Sequence, residues 1–312
     1  MNFHKQSTST SQNHVVGTGL VALDRIHVNE QAPLFEELGG SCGNVLISLA
    51  MLGRSVTPLL RLGADAIGTR LERDLRLAGA DTRLVGRDHD VRSPVIVELL
   101  DLASSDHSFS FVCPHSFERF GCFEPITLRE LEPARPTISS CTVFYADRVS
   151  ETICDAMEAA AAGGAIVHFE PSDISDLDLF DRALSVAHIL KYSVDRLGAD
   201  VAEHLRPEAF SILTAGRSGL EVRHAGSVYW SDALGVDLVR DTCGAGDMVT
   251  LGLLDTIIQH DVRGPGALSL AVVLSGIQSG QRLAAANCAY IGARGLFRER
   301  GAQHARTILA EA

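Results

Sequence analysis

The chain has 312 residues, 46% hydrophobic and 21% charged, with a formal net charge of −12. Its composition is that of a globular protein, and no apolar run approaches the roughly 18 residues of a membrane span. The acidic balance argues against a general nucleic-acid binder, which needs clustered Lys and Arg to displace counterions from phosphates.

Residues Met1 to Asn13, MNFHKQSTSTSQN, are polar and carry no apolar segment of a secretory signal, which predicts a disordered tail and a cytoplasmic protein. Seven scattered cysteines without a CxxC pair read as free thiols. VVGTGLVALD, from Val15 to Asp24, predicts one buried parallel strand that places Asp24 at a ligand crevice. A helix over Asn44 to Leu52, closed by Gly53, and a returning strand over Val56 to Gly63 complete a βαβ unit. A second helix runs from about Ile67 to Leu77 and ends at Gly79. Between Ser93 and Val112 two strand-like runs follow one another without a helix, which predicts an antiparallel insertion. From Thr142 the alternation VFYA, helix, AIVHFE, helix, HILKYS and FSILTA predicts an α/β fold with a doubly wound, mostly parallel sheet flanked by helices. LEVRHAG and SVYWSD then form a hairpin around Ala225 and Gly226.

The most informative segment is DTCGAGD, Asp241 to Asp247, followed by a helical pattern through Val249, Leu253 and Ile257. Small residues at a helix start let a ligand approach the unpaired N–H groups, which carry partial positive charge. Gly244, Ala245 and Gly246 therefore make an anion hole, and Asp247 beside it is placed to take a proton from a hydroxyl attacking a phosphoryl group. Read without a ligand, the same residues are a tight turn with an acidic group favouring the helix dipole.

This segment resembles the carboxyl-terminal signature of ribokinase-like (PfkB) carbohydrate kinases, and GGSCGN at Gly39 to Asn44 resembles the family's amino-terminal diglycine segment. RLGADAIGTRLERDLRLAGADT, Arg61 to Thr82, is similar to the stretch that follows it. The resemblance implies ATP-dependent transfer of the γ-phosphoryl group to a hydroxyl of a sugar, sugar acid or nucleoside, with Mg2+ carried by the nucleotide. It implies a main domain over 14–24, 41–92 and 124–312 and a small β-sheet lid over 25–40 and 93–123, through which a homodimer could pair. Asp24, Gly40 and Asn44 fall at the sugar-binding positions. On the nucleotide side the candidates are Lys191, Ser193, the Thr214 to Gly219 turn with Gly216 and Gly219, and Asn287 near adenine. Asp241 would hold a monovalent cation such as K+.

The family's metal and phosphate motif, an Asn with a Glu three residues later, reads KYSVDR here, with Ser193 and Arg196 at those positions and Asp195 or Glu170 as substitutes. That departure supports the alternative of a non-catalytic sugar- or nucleotide-sensing protein; the intact Asp247 argues for the enzyme. A dinucleotide oxidoreductase is disfavoured because GTGLVAL lacks the third glycine of GxGxxG. Asp147 and Arg148 read as a surface ion pair, with acceptor contact as the alternative. His107 and His115 are candidate sugar contacts in the lid, and the twelve scattered histidines show no metal-binding spacing. Cys243, beside a helix amino terminus, is expected to ionise readily.

Overall fold

A computed structural model describes residues 13–28, 33–101, 106–198 and 200–311. The chain runs β1 (His14–Thr18), β2 (Ala22–Val28), β3 (Phe35–Gly39), α1 (Ser41–Met51), β4 (Ser55–Pro58), β5 (Leu60–Gly63), α2 (Ala66–Ala78), β6 (Val85–Asp88), β7 (Val95–Asp101) and β8 (Asp106–Ser110). It continues with α3 (Leu128–Ile138), β9 (Val143–Ala146), α4 (Glu151–Ala162), β10 (Ile166–Phe169), α5 (Leu177–Val186), β11 (Ile189–Ser193) and α6 (Val194–Leu197). The last elements are β12 (Phe210–Thr214), β13 (Leu220–His224), β14 (Ser227–Ser231), α7 (Ala245–Gln259), α8 (Leu270–Asn287) and α9 (Gly295–Ala310).

The main sheet has the order β14-β13-β12-β11-β10-β9-β1-β4. It is parallel from β4 to β12, and the hairpin β13–β14 extends it antiparallel. The inner strands are apolar without alternation because both faces are covered. Val15, Val143, Ile166 and Ile189 point into the core under α1, α7 and α8, while their neighbours Val16, Phe144, Val167 and Leu190 point into the core under α3, α4 and α5. Helices therefore lie on both faces, which is the doubly wound arrangement expected.

A second sheet, β3-β2-β7-β8, stands apart from the first. The run from Val15 to Asp24 is thus two strands, not one. Gly19 breaks it at φ 141, and the Asp147 carboxylate accepts the Leu20 N–H at 2.9 Å just beyond. Residues 22–24, expected in the main unit, open β2 of the second sheet, so Asp24 lies within a strand there. The expected returning strand is likewise divided, into β4 of the main sheet and β5, which pairs with β6. The expected disordered tail falls outside the described residues except for Asn13, whose side chain donates to Ile258 O and Asp261 Oδ1, both at 2.9 Å.

Helix α3 is absent from the periodicity reading because Pro133 and Pro136 interrupt it. It forms around a capping box of Thr127 and Glu130. The carbonyls deprived of a partner, those of Arg129 and Glu132, belong to exposed residues where water can serve them.

Candidate active site

A cleft of about 1190 Å³ lies between the second sheet and the carboxyl ends of the main strands, with the start of α7 at its floor. Asp24, Gly40 and Asn44 line one half together with Asp247. Lys191, Ser193, Thr214, Gly216 and Gly219 line the other, and Gly244, Ala245 and Gly246 lie between. A smaller hollow of about 370 Å³ around Asp65, His89 and Ser93 contains none of these groups.

The α7 start is shaped by its own sequence. Asp241 accepts from Cys243 N at 2.8 Å with one oxygen and from Gly292 N at 2.7 Å with the other, pinning the loop. Gly244 then caps the helix at φ 73, where a Cβ would lie 2.6 Å from Ala293, so only glycine fits. Ala245 N donates back to Thr242 O at 3.2 Å. Among the described residues the amides of Gly244, Gly246 and Asp247 donate to no protein acceptor, so they, rather than that of Ala245, are the donors available to an anion.

Asp247 sits in the first turn of α7 and accepts from Asn44 Nδ2 at 2.8 Å. Burial and then the Glu170 carboxylate push its carboxyl up to about 7, against the pull of the Asn44 amide and Lys191. Asn44 is oriented in turn by Arg294, whose Nε donates to its Oδ1 at 3.3 Å and whose guanidinium also donates to Leu38 O. A carboxylate so poised, next to free amides, is chemically equipped to accept a proton near neutral pH beside a bound phosphoryl group.

Asp24 reaches the cleft because the following diglycine leaves room for it. A Cβ at Gly39 would stand 1.7 Å from Asp24 Oδ2. Burial, with Glu37 nearby, raises Asp24 to about 8, and its Oδ1 is buried without a hydrogen-bond partner.

In the other half Lys191 is 2% exposed and pairs with Glu170 Oε1, while Thr250 Oγ1 donates to Glu170 Oε2 at 2.6 Å. Lys191 Nζ lies 3.6 Å from where a Cβ on Gly246 would be, so the ammonium hangs over the free amides. Glu170 and Asp195, the two carboxylates near the altered motif, both stand on the cleft wall.

Several expectations change. Asn287 donates to Gly292 O and Ala293 O and accepts from Leu296 N at 2.9 Å; it braces the loop behind α7 and is absent from the cleft wall, where Ala284, Ala285 and Cys288 stand. Asp147 is fully buried, not a surface group. It accepts from Leu20 N, Cys42 N and Ser41 Oγ, and so fixes the turn into α1, while Arg148 lines the cleft. Burial and the carboxylates of Glu98 and Asp241 push the Cys243 thiol up, so no reactive thiolate forms. Asp241 faces a carboxylate and an imidazole, those of Glu98 and His107, with the three ligand atoms within 4.8 Å of one another. Burial and then Asp241 push Glu98 up to about 9.

Two parts of the site escape the sequence reading. Arg294 lies between glycines with no local pattern to mark it. The irregular stretch before Asp241 supplies Ala233, Leu234, Val236 and Val239 to the cleft, an apolar surface suited to a flat heterocycle. Its only signal is a set of aliphatic residues too irregular for a strand.

The family model for pfkB family carbohydrate kinases matches residues 13–295. Over 246 residues, 72% of this chain and 78% of the relative, the chain is 29% identical to fructokinase of Klebsiella pneumoniae. The crystal structure of fructokinase with bound ATP from Xylella fastidiosa superposes with a TM-score of 0.75 at 18% identity, covering 96% of this chain and 99% of that one. Aminoimidazole riboside kinase from Salmonella enterica, complexed with aminoimidazole riboside and an ATP analogue, gives 0.74 at 20% identity, covering 96% and 100%. The match extends from β1 to the loop that braces the α7 start, and so takes in both halves of the cleft: this chain belongs to the PfkB family of carbohydrate kinases.

Proposed function

We propose that the cleft transfers the γ-phosphoryl group of MgATP to a hydroxyl of a ketose, with Asp247 as general base. The observation that carries this reading is the meeting of Asn44, Asp247 and the free amides of the α7 start at the junction of the two halves. The sugar lies against Asp24, Gly40 and Asn44, where a carboxyl group and an amide, each able to donate and accept, suit a polyol. Lys191 and the amides of Gly244, Gly246 and Asp247 hold the transferring phosphate, and Ser193, Thr214, Gly216 and Gly219 border the rest of the nucleotide. Mg2+ arrives with ATP and neutralises charge on the phosphates, with Asp195 facing its water shell.

The second sheet acts as a lid. Its Ile96, His107 and Phe109 form the cleft wall opposite the α7 start, so closure would exclude the water that competes with the sugar hydroxyl. Its outer strand β8 pairs with no further strand within the described residues, whereas Arg70 and Arg294 already occupy carbonyls of β3, and Phe117 is exposed, features that suit pairing with a second copy through β8.

Fructose is the first acceptor to test because the curated relatives are fructokinases. A non-catalytic sensor has no use for a base poised near neutral pH, which weighs against the alternative that Ser193 and Arg196 of the altered motif, both on the cleft wall, would suit. ADP release is measured across ketoses, aldoses, sugar acids and nucleosides for the wild type and Asp247→Asn. A ketose should give the highest rate, reduced by about 10³ in the variant. Comparable turnover by both proteins refutes the role of Asp247.

A further inference from the structure

Glu98 on β7, His107 on β8 and Asp241 before α7 converge where the second sheet meets the loop into α7. Glu98 pairs with Phe109 across the β7–β8 ladder and Leu100 with His107, so Glu98 and His107 are diagonal neighbours on one face. The ligand atoms of the three side chains all lie within 4.8 Å of one another, and His107 Nδ1 is 3.5 Å from Asp241 Oδ1.

Glu98 is 1% exposed, and its Oε1 meets no hydrogen-bond donor. His107 Nδ1 is likewise buried without a hydrogen-bond partner. Buried polar atoms are ordinarily paired, and two carboxyl groups withdrawn from water against each other need a shared proton or a cation between them. Asp241 is held rigidly by Cys243 N and Gly292 N, so its remaining lone pairs have a fixed direction.

We propose that Glu98, His107 and Asp241 form a binding site for a borderline divalent cation of the zinc class, which clamps the second sheet to the loop that opens α7. One imidazole and two carboxylates are ligands that Zn2+ accepts, whereas K+ and Mg2+ prefer all-oxygen shells. The 3.5 Å between His107 and Asp241 is close to the edge of about 3.3 Å that tetrahedral bonds of about 2.0 Å require. Three protein ligands leave a fourth position, and His107 also lines the cleft, from which a water can reach it. The site gives His107 a function that histidine spacing did not reveal. Its ligands come from two bodies, so an occupied site opposes separation of the sheet from the α7 loop.

The test is a titration of the full chain with Zn2+ against a chromophoric chelator in excess KCl, for the wild type, Glu98→Gln and His107→Phe. The wild type should bind one tight equivalent, and each variant should bind it about tenfold or more weakly. Zn2+ should also slow amide hydrogen exchange in β7 and β8 of the wild type only. Circular dichroism checks folding of each variant, and because they alter different strands either one decides the question. Absence of a tight equivalent in the wild type, or equal affinity in a folded variant, overturns the site. Slowing of exchange by K+ without Zn2+ overturns the choice of cation.

Discussion

Replacing Asp247 by Asn should remove turnover while making the fold more stable at alkaline pH. The carboxyl rises from an ordinary 3.8 to about 7, so the folded protein holds this proton more tightly than the unfolded chain does. Its contribution to stability is therefore fully present below pH 3.8 and is lost as pH rises through 7. At about 1.4 kcal/mol per pH unit, the whole gap amounts to about 4 kcal/mol for a dry carboxylate. Asp247 borders an open cleft, where water screens the charge, and about 2 kcal/mol is the expected cost at pH 8. Asn carries no charge, and its carbonyl oxygen can still accept from Asn44 Nδ2, so the variant loses only the pH-dependent part. Guanidinium unfolding of both proteins at pH 5, 6, 7 and 8, alongside ADP release, measures the two effects together. The variant should gain stability relative to wild type as pH rises from 3.8 to 7 and level off above it, so the step from pH 5 to 7 should far exceed that from 7 to 8. A variant destabilised equally at every pH would show that the carboxylate is well solvated, and the assignment of a raised proton affinity would fail.

The same carboxyl should give kcat/KM an acid limb near pH 7, because the base works only when deprotonated. Asn44→Leu removes a donor that favours the charged form, so the limb should move to higher pH; an unmoved limb in an active variant separates Asn44 from the base. Lys191→Met should raise the KM for ATP, lower kcat by about 10² and, by leaving Glu170 buried without its cation, cost about 3 kcal/mol in unfolding experiments. Unchanged ATP kinetics would remove Lys191 from the phosphate site. Gly39→Ala places a Cβ where the Asp24 carboxylate now sits, 1.7 Å from Oδ2. The KM for sugar should rise about tenfold or more with the KM for ATP unchanged, and a parallel rise in both would point to a general distortion.

Much of the fold is legible because the strands of a parallel sheet buried on both faces are continuous apolar runs. VFYA, AIVHFE and HILKYS need no tertiary information to be read, and Gly79 closes α2 by a local rule, at φ 104. The break between β1 and β2 is another matter. VVGTGLVALD is apolar throughout, and the event that turns the chain out of the main sheet is a hydrogen bond from Leu20 N to a carboxylate 127 residues away. Local pattern carries no record of such a partner. The prolines of α3 mislead for the opposite reason: they break a local rule at positions where exposure makes the violation cheap.

The site divides along the same line. DTCGAGD advertises itself because a loop that must expose amides to an anion needs small residues in sequence, and the diglycine before α1 advertises itself because Asp24 needs the space of a side chain. Asn287 satisfied the resemblance but not the geometry: both of its amide donors and one acceptor site go to the loop 292–296, and the side chain is buried behind α7, away from the cleft wall. Asp147 went the other way. At the end of a strand it had the credentials of a surface charge, yet it organises the turn on which Gly40, Ser41 and Asn44 depend. What connects Asn44 to Asp247 across 203 residues is a buried polar chain, Arg294 to Asn44 to Asp247, in which the sequence marks Asn44 and Asp247 separately, Arg294 not at all, and the contacts between them nowhere. Their value lies in the pairing. A base tuned near neutrality requires burial, a neighbouring carboxylate and a compensating donor at once, and only the folded chain brings Glu170, Asn44 and Lys191 to bear on one oxygen pair.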